Sequence, residues 1–411
     1  MDIKKPELLA PAGSLTKLKT AIDFGADAVY VGGEEFSLRV AAENFSPQDM
    51  AEGVRYAHDR GKRVYLTANI IPHNSDIAEY KDFLQEYSKS GFDAVILSDA
   101  GMFAMTRELA PDMEIHISTQ ANNVNWKSAE FWHRLGAKRV ILAREMSFGE
   151  IREIREKTPP ELELEAFVHG AMCISYSGRC LLSNYMTCRD SNRGACSHPC
   201  RWKYFLMEET RPGEYMPVFE NERGTFIYNS KDLCMIEHID DLMRCGLDSF
   251  KIEGRVKSEY YLATVVKAYR EAIDSYLENP QGYKFNPEWM TELKKVSHRD
   301  YTTGFYYGKP GGTEQNYATS SYIREYELLG IVDGYDEKTG MLSVVQKNRL
   351  FRGSEVEFLQ PRGRFIPIKV EYMENGDGEE IEVANRPQSI VRIKTDIPIA
   401  KGSMMRAPRS D

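Results

Sequence analysis

The chain has 411 residues, 42% of them hydrophobic and 28% charged, and a formal net charge of −9. That length suits two or three domains of ~100–200 residues each. No run of 18 apolar residues occurs and the start, Met-Asp-Ile-Lys-Lys-Pro-Glu, has no apolar core, which argues against a membrane-spanning helix and a secretory signal. The acidic balance also argues against a protein that is basic throughout and coats nucleic acid, so a cytoplasmic enzyme or binding protein is expected.

Within residues 1–255 one local pattern recurs: a helix that closes on Gly, a short link, then an apolar strand with a polar end, at Gly25, Gly91, Gly136 and Gly246. Glycine after a helix supplies the left-handed cap, and an unbroken apolar, β-branched run suits a parallel strand buried on both faces. Strands are thus expected over 28–32, 94–98, 139–143 and 249–252, with four more at Glu7–Ala10, Arg63–Ile70, Glu114–Thr119 and Leu162–His169. Helical periodicity fills 14–24, 47–60, 77–90 and 128–135, with Ser or Pro near the starts. Eight strands alternating with helices predict a TIM-like (β/α)8 barrel over 1–280, with an open doubly wound α/β sheet as the alternative. In either fold the chemistry lies at the carboxyl ends of the strands. Those ends carry Thr67-Ala68-Asn69, Thr119-Gln120, Arg144-Glu145, His169 and Glu253-Gly254-Arg255. Position makes His169, Glu253 and Arg255 the catalytic candidates, although a lone barrel histidine is as readily a packed core residue.

Between the seventh and eighth strands, residues 171–231 form an insertion far longer than the usual connection of ~2–6 residues. Beyond the eighth helix, 281–320 read as a linker, and short strands separated by turns such as Asp333-Gly334 predict a small C-terminal β-barrel domain over 321–411.

All seven cysteines lie between Cys173 and Cys245, five of them in the insertion. In a reducing compartment such crowding belongs more often to a metal or redox site than to disulfides. The plain alternative, small thiols buried in a core, is favoured for Cys188 and Cys245. Cys173, Cys180, Cys196 and Cys200 form C-x6-C-x15-C-x3-C. Structural zinc prefers pairs two to four residues apart, which only Cys196 and Cys200 satisfy. Iron–sulfur clusters accept varied spacings, so the pattern favours a 4Fe-4S cluster, with a zinc knuckle as the alternative. From 171 to 204 the basic residues Arg179, Arg189, Arg193, Arg201 and Lys203 face Asp190 as the only acid, interleaved with Tyr176, Tyr185, Trp202 and Tyr204. Cations can hold phosphates while aromatic faces stack on unpaired bases. Alternatively, the cations donate to the sulfur site and the rings cover it. His-Glu-x-x-His, Gly-x-Ser-x-Gly and phosphate-loop signatures are absent.

The segment Glu165-Ala-Phe-Val-His-Gly-Ala-Met-Cys173-Ile-Ser-Tyr-Ser-Gly-Arg-Cys180 closely resembles the signature of the peptidase U32 family. Pro6-Glu-Leu-Leu-Ala-Pro-Ala-Gly13, Cys196-Ser-His-Pro-Cys200-Arg-Trp, Lys251-Ile-Glu-Gly-Arg255 and Thr303-Gly-Phe-Tyr-Tyr-Gly308 are similar to it as well, so the resemblance runs nearly end to end. Early members were called collagenase-like proteases, whereas relatives serve RNA or ubiquinone hydroxylation and are implicated as iron–sulfur proteins. The chain looks most like the branch that makes 5-hydroxyuridine at the wobble position, U34, of bacterial tRNA. The resemblance implies a 4Fe-4S cluster on Cys173, Cys180, Cys196 and Cys200, and the tRNA anticodon loop as partner. It also implies dependence on prephenate, a diacid for which Arg39, Arg144 and Arg255 are arginine partners by position. Some ubiquinone-pathway relatives take a ligand near Cys234, which sets Cys234 against Cys200 for the fourth place. A peptidase, and an RNA-binding scaffold with a structural cluster, are the competing functions.

Overall fold

In the computed structural model, which describes residues 4–33, 35–38, 45–173, 175–202, 205–206, 216–217, 231–309 and 322–409, eight parallel strands close into a ring. They are β1 (Glu7–Pro11), β2 (Ala28–Gly32), β3 (Arg63–Ala68), β4 (Ala94–Leu97), β5 (Glu114–Ile117), β6 (Arg139–Ile141), β7 (Glu163–Ala171) and β8 (Ser249–Ile252). Each pairs with the next, and β8 pairs with both β7 and β1, which closes the barrel and excludes the open sheet. The intervening helices are α1 (Leu15–Asp23), α2 (Pro47–His58), α3 (Asp76–Tyr87), α4 (Ala100–Leu109), α5 (Trp126–Leu135) and α6 (Phe148–Lys157). Except for α3, their starts are set by side chains that accept from the first free amides: Ser14, Asp99 and Asn125 cap singly, and Ser46 with Asp49 and Ser147 with Glu150 form capping boxes. Within the insertion α7 spans Leu182–Thr187, and α8 (Ile239–Arg244) leads into β8. The barrel's last helix, α9 (Glu259–Glu278), packs beside α1.

The barrel's interior is charged toward the amino ends of its strands. Arg139 bonds Glu7 at 2.6 Å, Glu165 at 2.8 Å and Glu163 at 2.7 Å, and Lys251 bonds the other oxygen of Glu165 at 2.7 Å. Burial works against the Glu165 charge, but Lys251 and Arg139 outweigh it and hold the carboxyl at about 2. A buried pair of this kind persists because each charge is satisfied by several partners.

The stretch expected as a linker is largely part of the barrel. Residues 287–294 form α10 (Pro287–Lys294), and Trp289, Leu293, Val296 and Tyr306 are buried in the barrel's hydrophobic core. Tyr301–Thr302 pairs with Asp232–Cys234, a strand that runs antiparallel to the end of β7. Residues 310–321 lie outside the described set.

The C-terminal domain is a seven-stranded antiparallel sheet in the order Ile366–Lys369, Glu355–Leu359, Met404–Pro408, Tyr326–Asp336, Met341–Gln346, Ile390–Lys394, Met373–Asn375. Its two edge strands do not pair with each other, so the hydrogen bonding is that of an open sheet where a barrel was expected. It has its own apolar core, including Val332, Val344, Phe358 and Ile393, and meets the barrel through Leu359, Met404 and Arg406. That guanidinium is fully buried, 2.6 Å from Glu292 of α10 and 2.8 Å from Glu357.

Candidate functional site

At the carboxyl ends of the strands a cavity opens, walled by the barrel on one side and by the cysteine insertion on the other. The barrel contributes Tyr30, Asn69, Gln120, Arg144, Glu253 and Arg255 among its lining residues. The insertion contributes Cys173, Cys180, Cys196 and Cys200, so all four expected ligands face one space.

The insertion is seated on three strand-end loops. Gly178 lies so close to the chain after β5 that a Cβ there would stand 2.2 Å from the Gln120 carbonyl oxygen, and its φ of +75° favours glycine again. Glu145, after β6, accepts from the Ser177 amide at 3.0 Å, and Asn122 donates to the Ser177 carbonyl at 3.1 Å. Arg193 reaches α3 and holds Asp76 with both nitrogens, at 2.5 and 2.9 Å. That guanidinium, read from sequence as a phosphate contact, is therefore a strut. Asp76 in turn is held by Arg193 and by the His73 amide at about 2, below its ordinary 3.8.

Three of the four thiols, Cys173, Cys180 and Cys200, are electrostatically linked. Cys173 and Cys180 hydrogen-bond each other, and this bond, with donors from Ser175, the Leu182 amide and Ser191, lowers Cys180 to about 5 and raises Cys173. Charge on Cys200 also reaches Cys173, and the His198 amide donates to Cys196 Sγ at 3.4 Å. Among the described residues no group of three or more His, Cys, Asp or Glu side chains is gathered as ligands of a single ion. The other cysteines lie apart from the cavity lining. Cys234 is buried against the Tyr269 hydroxyl at 3.9 Å and Cys245 donates to the Leu242 carbonyl at 3.0 Å, and burial pushes both thiols up to about 12. Cys188, expected as a buried thiol, is exposed.

Of the catalytic candidates, Glu253 and Arg255 line the cavity. Arg255 is buried, bonding Ser37 and, at 2.9 Å, Thr67. Gly32 makes room for it, since a Cβ there would lie 2.5 Å from the guanidinium. Arg144 also lines the cavity, its guanidinium 4.0 Å from the Phe167 ring centroid and 3.9 Å from Glu253. Arg39 lies outside the described residues, as do Lys203, Tyr204 and the side chain of Arg201.

His169 does not join them. Simple alternation along β7 would point it inward with Glu165 and Phe167, but the register with β8 slips so that Ile252 faces His169 and Val168 is passed over. The imidazole therefore turns to the helix layer. It packs against Tyr261 and Tyr269 of α9 and against Tyr301, and burial drives it to about 3, so it is neutral.

Two features escaped sequence reading. Lys251, which also lines the cavity, is inward on β8 and tied to Glu165; it heads the Lys-Ile-Glu-Gly-Arg segment, but strand parity was needed to see that it faces the interior. Exposed Leu181 and Met186 join Tyr176, Tyr185 and Trp202 as large side chains open to solvent on the insertion, where Arg179 and Arg189 are exposed too.

A family model described as "Peptidase family U32" matches residues 13–316, and "Peptidase family U32 C-terminal domain" matches 324–406. Among curated proteins the chain is 44% identical to "tRNA hydroxylation protein P1" of Bacillus subtilis, covering 98% of this chain and 95% of that protein. It is 40% identical to "tRNA hydroxylation protein P" of Escherichia coli, over 92% and 91%. It is also 30% identical to a "Collagenase" of Porphyromonas gingivalis, over 95% of each.

Proposed function

This chain belongs to peptidase family U32, and on that footing we propose that it is a tRNA-modifying enzyme that hydroxylates wobble uridine, U34, to 5-hydroxyuridine with a 4Fe-4S cluster. The observation that carries the reading is the meeting of four cysteines with polar strand ends in one cavity, beside exposed aromatic and cationic side chains. The names of its relatives support RNA hydroxylation.

The donor set fits such a cluster. Cys173, Cys180, Cys196 and Cys200 would hold it; amide and hydroxyl donors favour the charged form of Cys180, and the His198 amide already donates to Cys196 Sγ. Bound in that place, a cluster supplies electron transfer next to the strand ends. Cys234 does not compete with Cys200, because its thiol is buried on the helix side of β7. An anticodon loop presents unpaired bases, so Tyr176, Tyr185 and Trp202 can stack on them while Arg179 and Arg189 hold phosphates. Uridine would then enter the cavity between the insertion and Glu253. Arg144 and Arg255 are placed to bind the carboxylates of a small diacid, with prephenate as the co-substrate that the resemblance implies.

The test is mass spectrometry of tRNA nucleosides from a deletion strain. 5-Hydroxyuridine should vanish and return with the wild-type gene but not with Cys173→Ala. Its persistence in the deletion strain would overturn the reading. Collagen or casein cleavage that copurifies with the chain and is lost with one cavity substitution would favour the peptidase instead.

A further inference from the structure

Lys251 opens the Lys-Ile-Glu-Gly-Arg segment and lies on the floor of the cavity. It is 4% exposed. Its Nζ stands 2.7 Å from Glu165, 4.5 Å from the Tyr30 ring centroid and 5.5 Å from that of Phe167. Burial lowers the proton affinity of this amine, Glu165 partly restores it, and the charge of Arg139 lowers it again. An amine desolvated between aromatic walls, with a second cation close by, is the arrangement that turns lysine into a nucleophile toward carbonyl carbon. The same cavity holds two guanidinium groups, Arg144 and Arg255, which are suited to carboxylates. It also holds Glu253, a carboxylate 3.5 Å from the Tyr30 hydroxyl that can pass a proton.

We propose that Lys251 forms an imine with the keto group of a 2-oxo carboxylic acid held by Arg144 and Arg255. The ammonium gives a proton to Glu253, and the free amine attacks the keto carbon, forming a C–N bond. A proton moves from nitrogen to the former carbonyl oxygen. Glu253 then returns its proton to that hydroxyl, the C–O bond breaks, and water leaves. Ammonium and ketone thus become protonated imine and water, with no net proton uptake and no change of oxidation state. The floor explains the ligand class: an amine alone would accept any ketone, whereas the guanidinium groups select acids. This step rests on the reading of the cavity as a carboxylate site and is independent of the RNA chemistry.

Full-length protein is incubated with pyruvate or with 2-oxoglutarate, which carries a second carboxylate, and sodium borohydride is added to reduce any imine. Intact mass should rise by one reduced adduct per chain, and peptide mapping should place it on Lys251. Lactate, which has no keto group, should give none. Lys251→Arg keeps a cation opposite Glu165 and should lose the adduct while retaining the wild-type circular dichroism. Arg144→Gln should raise the acid concentration for half-labelling about tenfold. Mapping the adduct on the wild-type chain keeps the test valid if a variant misfolds. Saturable calorimetric binding of the acids without an adduct would overturn the imine and leave the carboxylate site standing, whereas no binding and no adduct would overturn both. Labelling spread over surface lysines would also overturn it.

Discussion

Arg193→Ala removes the bidentate tie between the cysteine insertion and α3, whose contacts measure 2.5 and 2.9 Å. The two side chains are 34% and 9% exposed, so the pair lies between a surface bridge and a buried one. A charge-assisted, two-pronged pair in that position is worth about 1–2 kcal/mol. The ring of β1–β8 does not depend on it, since the neighbouring tie, the Ile71 amide to the Asn192 carbonyl at 3.0 Å, also serves only the insertion. The loss should therefore fall on local opening of residues 175–202. Amide protection factors there should drop roughly 5–30-fold while those of β2–β4 hold, as native-state hydrogen exchange would read. Asp76→Asn should act in the same direction. The pair also sets a pH window: the folded Asp76 lies at about 2, below its ordinary 3.8, so its contribution is full above that ordinary value and is lost as pH falls toward 2. Unchanged protection in Arg193→Ala, with weakened tRNA binding, would put this guanidinium on a phosphate and refute the strut.

Single Cys→Ala changes at Cys173, Cys180, Cys196 or Cys200 should bleach a broad charge-transfer absorption near the violet in anaerobically purified protein. Cys188→Ala, Cys234→Ala and Cys245→Ala should keep it, the last two costing about 1 kcal/mol in urea titrations. His169→Phe should retain hydroxylation and be less acid-labile. His169 is held neutral, so wild-type stability should fall from pH ~6.5 toward 3 by ~1.4 kcal/mol per unit for this group; equal slopes for wild type and variant in urea titrations would contradict that. Arg406→Ala leaves Glu292 and Glu357 without their buried guanidinium and should cost about 3–5 kcal/mol, read as a lowered melting temperature.

The alternation of helix, glycine and apolar strand was legible because backbone geometry demands it: a left-handed cap after a helix admits few residues, and a strand covered on both faces admits few polar ones. The same holds for the four cysteines, whose crowding survives in space as a shared cavity wall. Charge was less legible. Arg179, Arg189 and Arg193 look alike in the chain, yet Arg193 alone among them is committed bidentately to Asp76, a partner 117 positions away. Composition counts cations but does not say which have been spent on the fold. The stretch at 281–309 misled for a related reason, since its Gly and Tyr residues suggested a linker while Trp289, Leu293 and Tyr306 found a barrel surface to cover.

Strand parity explains the deepest difference between sequence and site. A barrel strand offers its interior every second residue, so the residue that reaches the cavity depends on counting without error to its end. On β8 the count runs Ser249, Lys251, Glu253, and the last two line the cavity. On β7 it runs Glu165, Phe167, and then one slipped residue sends His169 outward to three tyrosines. With His169 turned away, the titratable groups that line the barrel's mouth include Lys251, Glu253, Glu145 and the two arginines from the barrel, with His198 and the thiols from the insertion. Among the described residues the imidazole that lines this mouth is therefore His198, carried in by the loop between Cys196 and Cys200, while the strand ends supply carboxylate, amine and guanidinium groups.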